Sequence, residues 1–134
     1  NAATTLEYNF INQPDLAQTL VVTCALLQIP FRFSGLQSLK IKETDRIHAL
    51  ITEMKKLGFL LKETGNGVLA WEGERCPAEL ASGIDTYEDH RMAMAFAPAC
   101  ICIQPLRINE PQVVSKSYPH FWEDLRTAGF NITE

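Results

Sequence analysis

The sequence lacks the features that would place a protein in a membrane or outside the cell. It has no apolar stretch of about 18 residues, which a transmembrane helix needs, and no recognisable secretory leader. It contains four cysteines, Cys24, Cys76, Cys100 and Cys102, and no two of them have the Cys-x-x-Cys spacing. They therefore predict reduced, buried thiols instead of a disulfide framework or a zinc site. These absences favour the cytoplasm.

The chain also has no surplus of positive charge. Its 12 lysines and arginines stand against 16 aspartates and glutamates, which gives a formal net charge of −4. A broad basic surface for nucleic acid or an anionic membrane is therefore excluded. Any affinity for anions has to come from a few cations at particular positions. The length of 134 residues suffices for one domain with a hydrophobic core.

What the sequence does contain is an order of elements that occurs twice. The first half predicts a wholly buried helix over 16–29, a strand over 31–36, an amphipathic helix over 47–57 with Gly58 as its C-cap, and a hairpin of strands 59–62 and 68–71. The second half predicts a buried helix over 92–103, a strand over 106–108, and an amphipathic helix that is capped by Ser117 and ends at Gly129. Pro98 is expected to kink the buried helix or to remove one of its hydrogen bonds.

The repeated order predicts a duplicated supersecondary unit. Asp15 precedes Lys42 by 42 − 15 = 27 positions, and Asp89 precedes Lys116 by 116 − 89 = 27 positions. We interpret residues 1–74 and 75–134 as two units of the β-α-β-α-β-β kind that share one core in a single domain, an α/β (α+β) fold. A chance likeness between two ordinary α/β segments is the alternative that this pattern leaves open.

Cations stand at three of the predicted helix starts, where the helix dipole favours acids instead. Lys42 and Arg46 flank the start of the first amphipathic helix, His90 and Arg91 open the second buried helix, and Lys116 precedes the last helix. A cation beside free backbone N–H groups forms a site for phosphate or carboxylate. One such case alone is more often a solvated or salt-bridged surface cation. Three cases, two of them at matching points of the repeat, favour an anion-binding site.

Three segments and one tripeptide resemble a known enzyme family. Residues 38–46 (SLKIKETDR), 86–96 (TYEDHRMAMAF) and 114–122 (VSKSYPHFW) are similar to the C-terminal signature segments of the 5-enolpyruvylshikimate-3-phosphate synthases. Residues 13–15 (QPD) fit the segment that carries the catalytic aspartate of that family. The order and separation of these segments agree with the family over nearly the whole chain.

The resemblance implies a larger enzyme of two similar domains, each built from β-α-β-α-β-β units with buried parallel helices. The implied reaction transfers the enolpyruvyl group of phosphoenolpyruvate to the 5-hydroxyl of shikimate 3-phosphate and releases phosphate, a step of aromatic amino acid biosynthesis. It needs no metal or organic cofactor. The chain would be part of one domain, its partner would be the missing N-terminal domain, and it is expected to be inactive alone.

The resemblance also implies substrate contacts. Arg46, Arg91 and Lys116 would hold phosphoenolpyruvate, and the two arginines would offer paired donors to its carboxylate or phosphate. Ser38 stands where the family often has an asparagine that contacts the shikimate ring, so a hydroxyl would replace an amide there.

The implied catalytic residues are four. Asp15 and Lys42 would lie beside the 5-hydroxyl, where one removes its proton and the other orients and neutralises. Glu43 would protonate the methylene carbon of phosphoenolpyruvate, and His90 would assist near the phosphate.

Two other interpretations stay open. One is the enolpyruvyl transferase that acts on UDP-N-acetylglucosamine, which shares the fold, although residues 42–46 and 89–94 fit the shikimate enzyme better. The other is a non-catalytic anion-binding module. Release of phosphate from the two substrates separates catalysis from binding alone.

Overall fold

The first half of the chain folds into a β-α-β-α-β-β unit. The computed structural model describes residues 5–41 and 45–133. The elements of the first half are β1 Leu6–Asn9, α1 Ala17–Leu26, β2 Phe31–Ser34, α2 Arg46–Lys56, β3 Lys62–Gly65 and β4 Val68–Trp71. The second half contains α3 His90–Phe96 and α4 Phe121–Thr127. Short 3-10 helices cover Pro14–Leu16, Gln37–Ile41, Ala97–Ile101 and Pro111–Val114. The α/β class expected from the sequence is confirmed.

The four strands form one mixed sheet in the order β1-β2-β4-β3. β1 and β2 are parallel, with Leu6 opposite Phe31, and α1 is the crossover that a parallel pair requires. β4 is antiparallel to both β2 and β3. β2 alternates as the sequence indicates, because Phe31 and Phe33 are fully buried while Arg32 points outward.

The predicted hairpin is confirmed, but its first strand lies further along the chain than expected. β3 begins at Lys62, not at Phe59, and pairs with β4 across the turn at Gly65–Gly67. Phe59 instead forms an isolated antiparallel bridge with Arg75. The Arg75 guanidinium also lies over the Phe59 ring, 4.1 Å from its centroid.

Helix α2 carries the apolar face that its spacing predicts. The Asp45 side chain caps it by accepting a hydrogen bond from His48 N at 3.1 Å. Three of its side chains, Ile47, Leu50 and Met54, are buried in the same core as the phenylalanines of β2. Burying each such side chain contributes about 1.5–3 kcal/mol. Gly58 follows with a φ of 99°, as expected for a glycine just after a helix end.

The prediction that the first buried helix is apolar and covered on every side is wrong for this chain. α1 buries Val21, Val22 and Ala25, but Leu20 is 37% exposed and Leu27 is 64% exposed. The covered side packs against α3 and the 3-10 helix that follows it. Sequence hydrophobicity alone does not say which sides of a helix have a neighbour.

The second half follows the predicted order with shorter elements. α3 ends at Phe96 and continues as the 3-10 helix Ala97–Ile101, which agrees with the effect expected of Pro98. The predicted strand 106–108 is wrong, because only Ile108 pairs, in an isolated parallel bridge with Ile84. That bridge repeats the parallel sense of β1 and β2. The division into two duplicated units stays a prediction.

The start of the last helix also differs from the prediction. α4 begins at Phe121, and neither Ser117 nor its N-cap residue His120 supplies a side-chain cap. The backbone N–H groups of Ser117 and Tyr118 both donate to Val114 O instead, at 3.1 Å and 2.8 Å. Lys116 therefore lies in a turn ahead of α4 and not in its first helical turn.

The cysteines are all free, but they are not all buried as expected. Cys24 is buried and its thiol has a pKa raised by desolvation, whereas Cys102 is exposed. Within the described ranges, no group of three or more His, Cys, Asp or Glu side chains could hold a metal ion. No helix in the same ranges has the length and apolarity needed to cross a bilayer.

We predict that Leu50→Ala lowers the free energy of unfolding by about 2–5 kcal/mol, because it leaves a cavity in the core. The matched control is Leu27→Ala, whose side chain is largely exposed, and it should change the free energy by less than about 0.5 kcal/mol. Urea unfolding of the chain, followed by circular dichroism, measures both. Equal losses in the two variants would contradict the position of the core.

Candidate functional site

The site forms where the N-terminal ends of three helices meet. Asp15 lies in the 3-10 helix that leads into α1, Arg46 is the first residue of α2, and Arg91 is the second residue of α3. Arg46 Nη1 donates to Asp15 Oδ1 at 3.2 Å, and Arg91 Nη2 lies 3.4 Å from Asp15 Oδ2. One carboxylate therefore contacts guanidinium groups from two helices. Asp15 and the two arginines were predicted as site residues, and they lie together.

Arg46 is buried and is held by a second carboxylate. Its Nε donates to Asp89 Oδ2 at 2.6 Å and its Nη2 donates to Asp89 Oδ1 at 3.2 Å. Both side chains are almost wholly inaccessible to solvent. Such a two-point contact fixes the plane of the guanidinium as well as its position. Asp89 Oδ1 also accepts from Arg91 N at 2.9 Å, so the same carboxylate caps α3.

Asp15, Arg46, Asp89 and Arg91 form what we call the arginine cluster. The sequence did not indicate Asp89 as the partner of Arg46, because the two residues lie 43 positions apart. The available signal was that an aspartate immediately precedes two potential cations at a helix start. Pairing across that separation depends on the tertiary fold.

Charges within the arginine cluster balance, with two arginines against two aspartates. The pairs differ in strength, however. Arg46 and Asp89 are shielded from water, so their attraction is screened little. The pair of Arg91 with Asp15 is long, and the two side chains are 39% and 42% exposed. Exposed pairs of this kind contribute about 0–1 kcal/mol, so an incoming anion can compete for Arg91.

Two of the remaining predicted site residues, Ser38 and His90, lie on elements next to the arginine cluster. Ser38 is half-buried in the 3-10 helix Gln37–Ile41, which packs against the 3-10 helix of Asp15. His90 is half-buried and precedes Arg91 in α3. Lys42 and Glu43 lie outside the described residues.

Lys116 is exposed, and none of the described residues is hydrogen bonded or ion paired to it. Its turn is nevertheless attached to α3, because Val114 packs against Ala93 and Ala97. Of the three cations that the resemblance implies for phosphoenolpyruvate, Arg46 and Arg91 thus meet at Asp15. Lys116, which also lies in the described part of the chain, forms no hydrogen bond or ion pair with either of them.

The backbone just before α3 adopts an unusual conformation. Tyr87 and Glu88 both have a φ of 56°, in the left-handed region that residues with a side chain seldom adopt. Each such residue costs on the order of 1–3 kcal/mol where the surroundings must impose it. Thr86 Oγ1 donates to Asn109 O at 3.0 Å, and Asp89 N donates to Thr86 O at 2.8 Å. Sequence reasoning did not identify this turn.

A cavity of about 330 Å³ lies at the other ends of α1 and α2. Leu26, Leu57, Arg75 and Cys102 are among the residues that line it. It contains none of the residues in the arginine cluster. We place the candidate site at the arginine cluster. Its buried and shared charges can select a ligand of a particular charge, whereas the apolar walls of the cavity cannot.

Comparison with known proteins gives the family. A sequence model of the family described as EPSP synthase (3-phosphoshikimate 1-carboxyvinyltransferase) matches residues 2–125. The chain belongs to the EPSP synthase family. This confirms the resemblance drawn from the signature segments. The mixed α/β fold with its four-stranded sheet is consistent with the EPSP synthase fold.

Individual EPSP synthases are similar over most of the chain. The 3-phosphoshikimate 1-carboxyvinyltransferase of Bacteroides fragilis (strain YCH46) is 65% identical over 127 residues, which cover 95% of the chain and 31% of that protein. The protein of the same name from Laribacter hongkongensis is 42% identical over 123 residues, covering 90% of the chain and 27% of that protein. The chain therefore spans about a third or less of the length of the curated relatives it matches.

We predict that Asp89→Asn lowers the free energy of unfolding by about 3–5 kcal/mol, because it removes the buried carboxylate charge that makes the two-point contact with the Arg46 guanidinium. Asparagine still offers an oxygen to cap α3, so the loss reports the ion pair. Urea unfolding measures it, with Glu123→Gln as the control, since that variant removes an exposed carboxylate paired with His120.

The double variant Arg46→Met/Asp89→Asn should regain part of the loss, because the buried cation is removed together with its buried carboxylate partner. A loss in Asp89→Asn no larger than that of Glu123→Gln would contradict the role of this pair.

Proposed function

We propose that the chain supplies part of the active site of a 3-phosphoshikimate 1-carboxyvinyltransferase. In this reaction the enolpyruvyl group of phosphoenolpyruvate passes to the 5-hydroxyl of shikimate 3-phosphate, and phosphate is released. Membership of the EPSP synthase family supports the reaction class. The single observation that carries the proposal in this chain is that Asp15 contacts both Arg46 and Arg91 where α1, α2 and α3 begin.

The cations would bind phosphoenolpyruvate, which carries a phosphate and a carboxylate. Arg91 can exchange its weak contact with Asp15 for a ligand oxygen at little cost. Arg46 is fixed by Asp89, so its position is set before the substrate arrives. Lys116 would add an ammonium group from its exposed turn. Both substrates are multiply anionic, and these cations would offset their repulsion.

The chemical step follows from the proposed roles. Glu43 would donate a proton to C3 of phosphoenolpyruvate, and C2 would become electron-poor. The 5-oxygen of shikimate 3-phosphate would bond to C2 while its proton passes to Asp15 or Lys42, giving a tetrahedral adduct. C3 would then return a proton to the Glu43 carboxylate as the C2–O bond to phosphate breaks, which restores the double bond and frees inorganic phosphate. His90 would assist at the phosphate, and Ser38 would contact the shikimate ring.

Asp15 is suited to this proposed role by its partial exposure. Its side chain is 42% exposed although each oxygen contacts a guanidinium, so a substrate hydroxyl can reach it. The remaining ligands would come from the parts of a full-length protein that this chain does not span. We therefore expect no turnover by the chain alone.

The two alternatives are less well supported. The matched relatives are named 3-phosphoshikimate 1-carboxyvinyltransferase, which disfavours an enzyme that acts on UDP-N-acetylglucosamine. A non-catalytic anion-binding module would use Arg46 and Arg91 equally well. It gives no reason, however, for a partly exposed carboxylate between two guanidinium groups.

A chimaera tests the proposal directly. The chain would replace the matching 31% of the Bacteroides fragilis protein, whose sequence is 65% identical there. We predict that it releases phosphate from phosphoenolpyruvate only when shikimate 3-phosphate is also present, and that the isolated chain releases none. Arg91→Met should abolish most of the release, whereas Arg32→Met, on the exposed face of β2, should not.

A folded chimaera that binds phosphate without releasing any from the two substrates would refute catalysis. Activity with UDP-N-acetylglucosamine in place of shikimate 3-phosphate would favour the other transferase.

Lys116→Ala in the active chimaera should raise KM for phosphoenolpyruvate about tenfold or more, since a contact to a charged group contributes about 1.5–3 kcal/mol. KM for shikimate 3-phosphate should change less. Steady-state kinetics with each substrate varied in turn gives both values, and Lys55→Ala, an exposed lysine of α2, is the matched control. Equal increases for the two substrates would remove Lys116 from the phosphoenolpyruvate site.

A further inference from the structure

Glu53 is a fully buried carboxylate that the proposed reaction does not use. It lies on α2, 53 − 46 = 7 positions after Arg46, which puts both residues on the same face of the helix. Its Oε2 accepts a hydrogen bond from the Tyr87 hydroxyl at 2.6 Å. Its Oε1 accepts from Asp85 N at 3.0 Å and lies 2.8 Å from Lys56 Nζ. A buried carboxylate whose oxygens are all hydrogen bonded holds its partner groups in fixed positions.

What Glu53 binds is the segment that ends at the arginine cluster. Tyr87 is the first of the two left-handed residues, and Asp89 follows them directly. A left-handed conformation in two successive residues persists only where neighbouring groups hold it. On one side, Thr86 donates a hydrogen bond to Asn109 O. On the other side, Tyr87 donates one to Glu53 of α2.

Helix α2 therefore binds this segment at two points two turns apart. Arg46 binds Asp89 near one end, and Glu53 binds Tyr87 and Asp85 further along. The helix is rigid between them, with a separation of about 10 Å from the rise of 1.5 Å per residue. The second contact thus sets the direction in which the chain enters α3.

We propose that the Glu53–Tyr87 hydrogen bond is a positioning contact that holds the left-handed turn at Tyr87 and Glu88, so that Asp89 and Arg91 reach Arg46 and Asp15. Tyr87 and Glu53 touch no reacting atom in this proposal and act through Asp89 and Arg91. The predicted effect on substrate rests on the proposed function, whereas the effect on the turn does not.

The hydroxyl of Tyr87 is a dependable donor. Burial and the neighbouring Glu53 carboxylate raise the pKa of Tyr87 above its ordinary value. The Tyr87 hydroxyl therefore stays protonated, and able to donate, over the pH range in which proteins are normally studied.

Tyr87→Phe in the chimaera tests the proposal, because it removes the hydroxyl and keeps the ring. Amide hydrogen exchange should become faster at Asp89 and Arg91, whose N–H groups bind Thr86 O and Asp89 Oδ1. KM for phosphoenolpyruvate should rise about three- to tenfold, the range expected for the net loss of one ordinary hydrogen bond that acts through the turn. KM for shikimate 3-phosphate should change less.

The control is Tyr118→Phe, which removes a tyrosine–carboxylate hydrogen bond to Asp124 at an exposed position. It should alter neither exchange at residues 86–91 nor KM. Glu53→Gln keeps a carbonyl oxygen that can accept from Tyr87, so its KM for phosphoenolpyruvate should rise less than that of Tyr87→Phe. A contact that only stabilises the fold would lower the melting temperature and the active fraction without changing either KM.

Unchanged exchange at 86–91 in Tyr87→Phe would overturn the proposal whether or not the chimaera is active. In an active chimaera, faster exchange with an unchanged KM for phosphoenolpyruvate, or equal rises in both KM values, would also overturn it. An inactive chimaera with faster exchange in Tyr87→Phe but not in Tyr118→Phe would count against the proposed function while supporting the role of Tyr87 in holding the turn.

Discussion

The buried guanidinium of Arg46 is the constraint on which the rest of this arrangement depends. A charge removed from water has to be paired, or its desolvation destabilises the fold by several kcal/mol. Asp89 provides that pair from the start of α3, and Asp15 adds a contact from the approach to α1. Because the Arg46 side chain at the start of α2 contacts Asp15 and Asp89, the starts of three helices have to meet. The site is therefore a consequence of satisfying a single buried charge.

That meeting point explains why cations occur where the helix dipole disfavours them. Taken one at a time, Arg46 and Arg91 at helix starts have an unfavourable electrostatic position. Asp89 and Asp15 offset this cost when the helices assemble, since each arginine then faces a carboxylate. The arginine cluster is neutral as a whole but uneven in strength. Its buried pair is fixed, and its exposed pair can exchange with solvent or ligand.

The sequence predicted what local patterns determine and failed where a distant neighbour decides. The apolar spacing of 47–57 and the Gly-Asn-Gly turn located α2 and the hairpin, because both signals are local. The exposure of Leu27, the loss of a strand at 106–108 and the late start of α4 all depend on which segments have partners. The motifs identified Arg46 and Arg91 as site cations. They could not give Asp89 as the partner of Arg46 or Glu53 as that of Tyr87, because both pairs join residues more than 30 positions apart.

In the proposed reaction, the weak contact between Arg91 and Asp15 would link substrate binding to the state of the Asp15 carboxylate. An anion that takes Arg91 has to displace one oxygen of Asp15, so part of its binding free energy is used to release that carboxylate. The freed oxygen would then be available to the acceptor hydroxyl. Arg46 remains in place during this exchange because Asp89 holds it from the buried side. An exposed, weakly paired cation and a buried, fixed one on the same carboxylate would thus give binding and positioning to different residues.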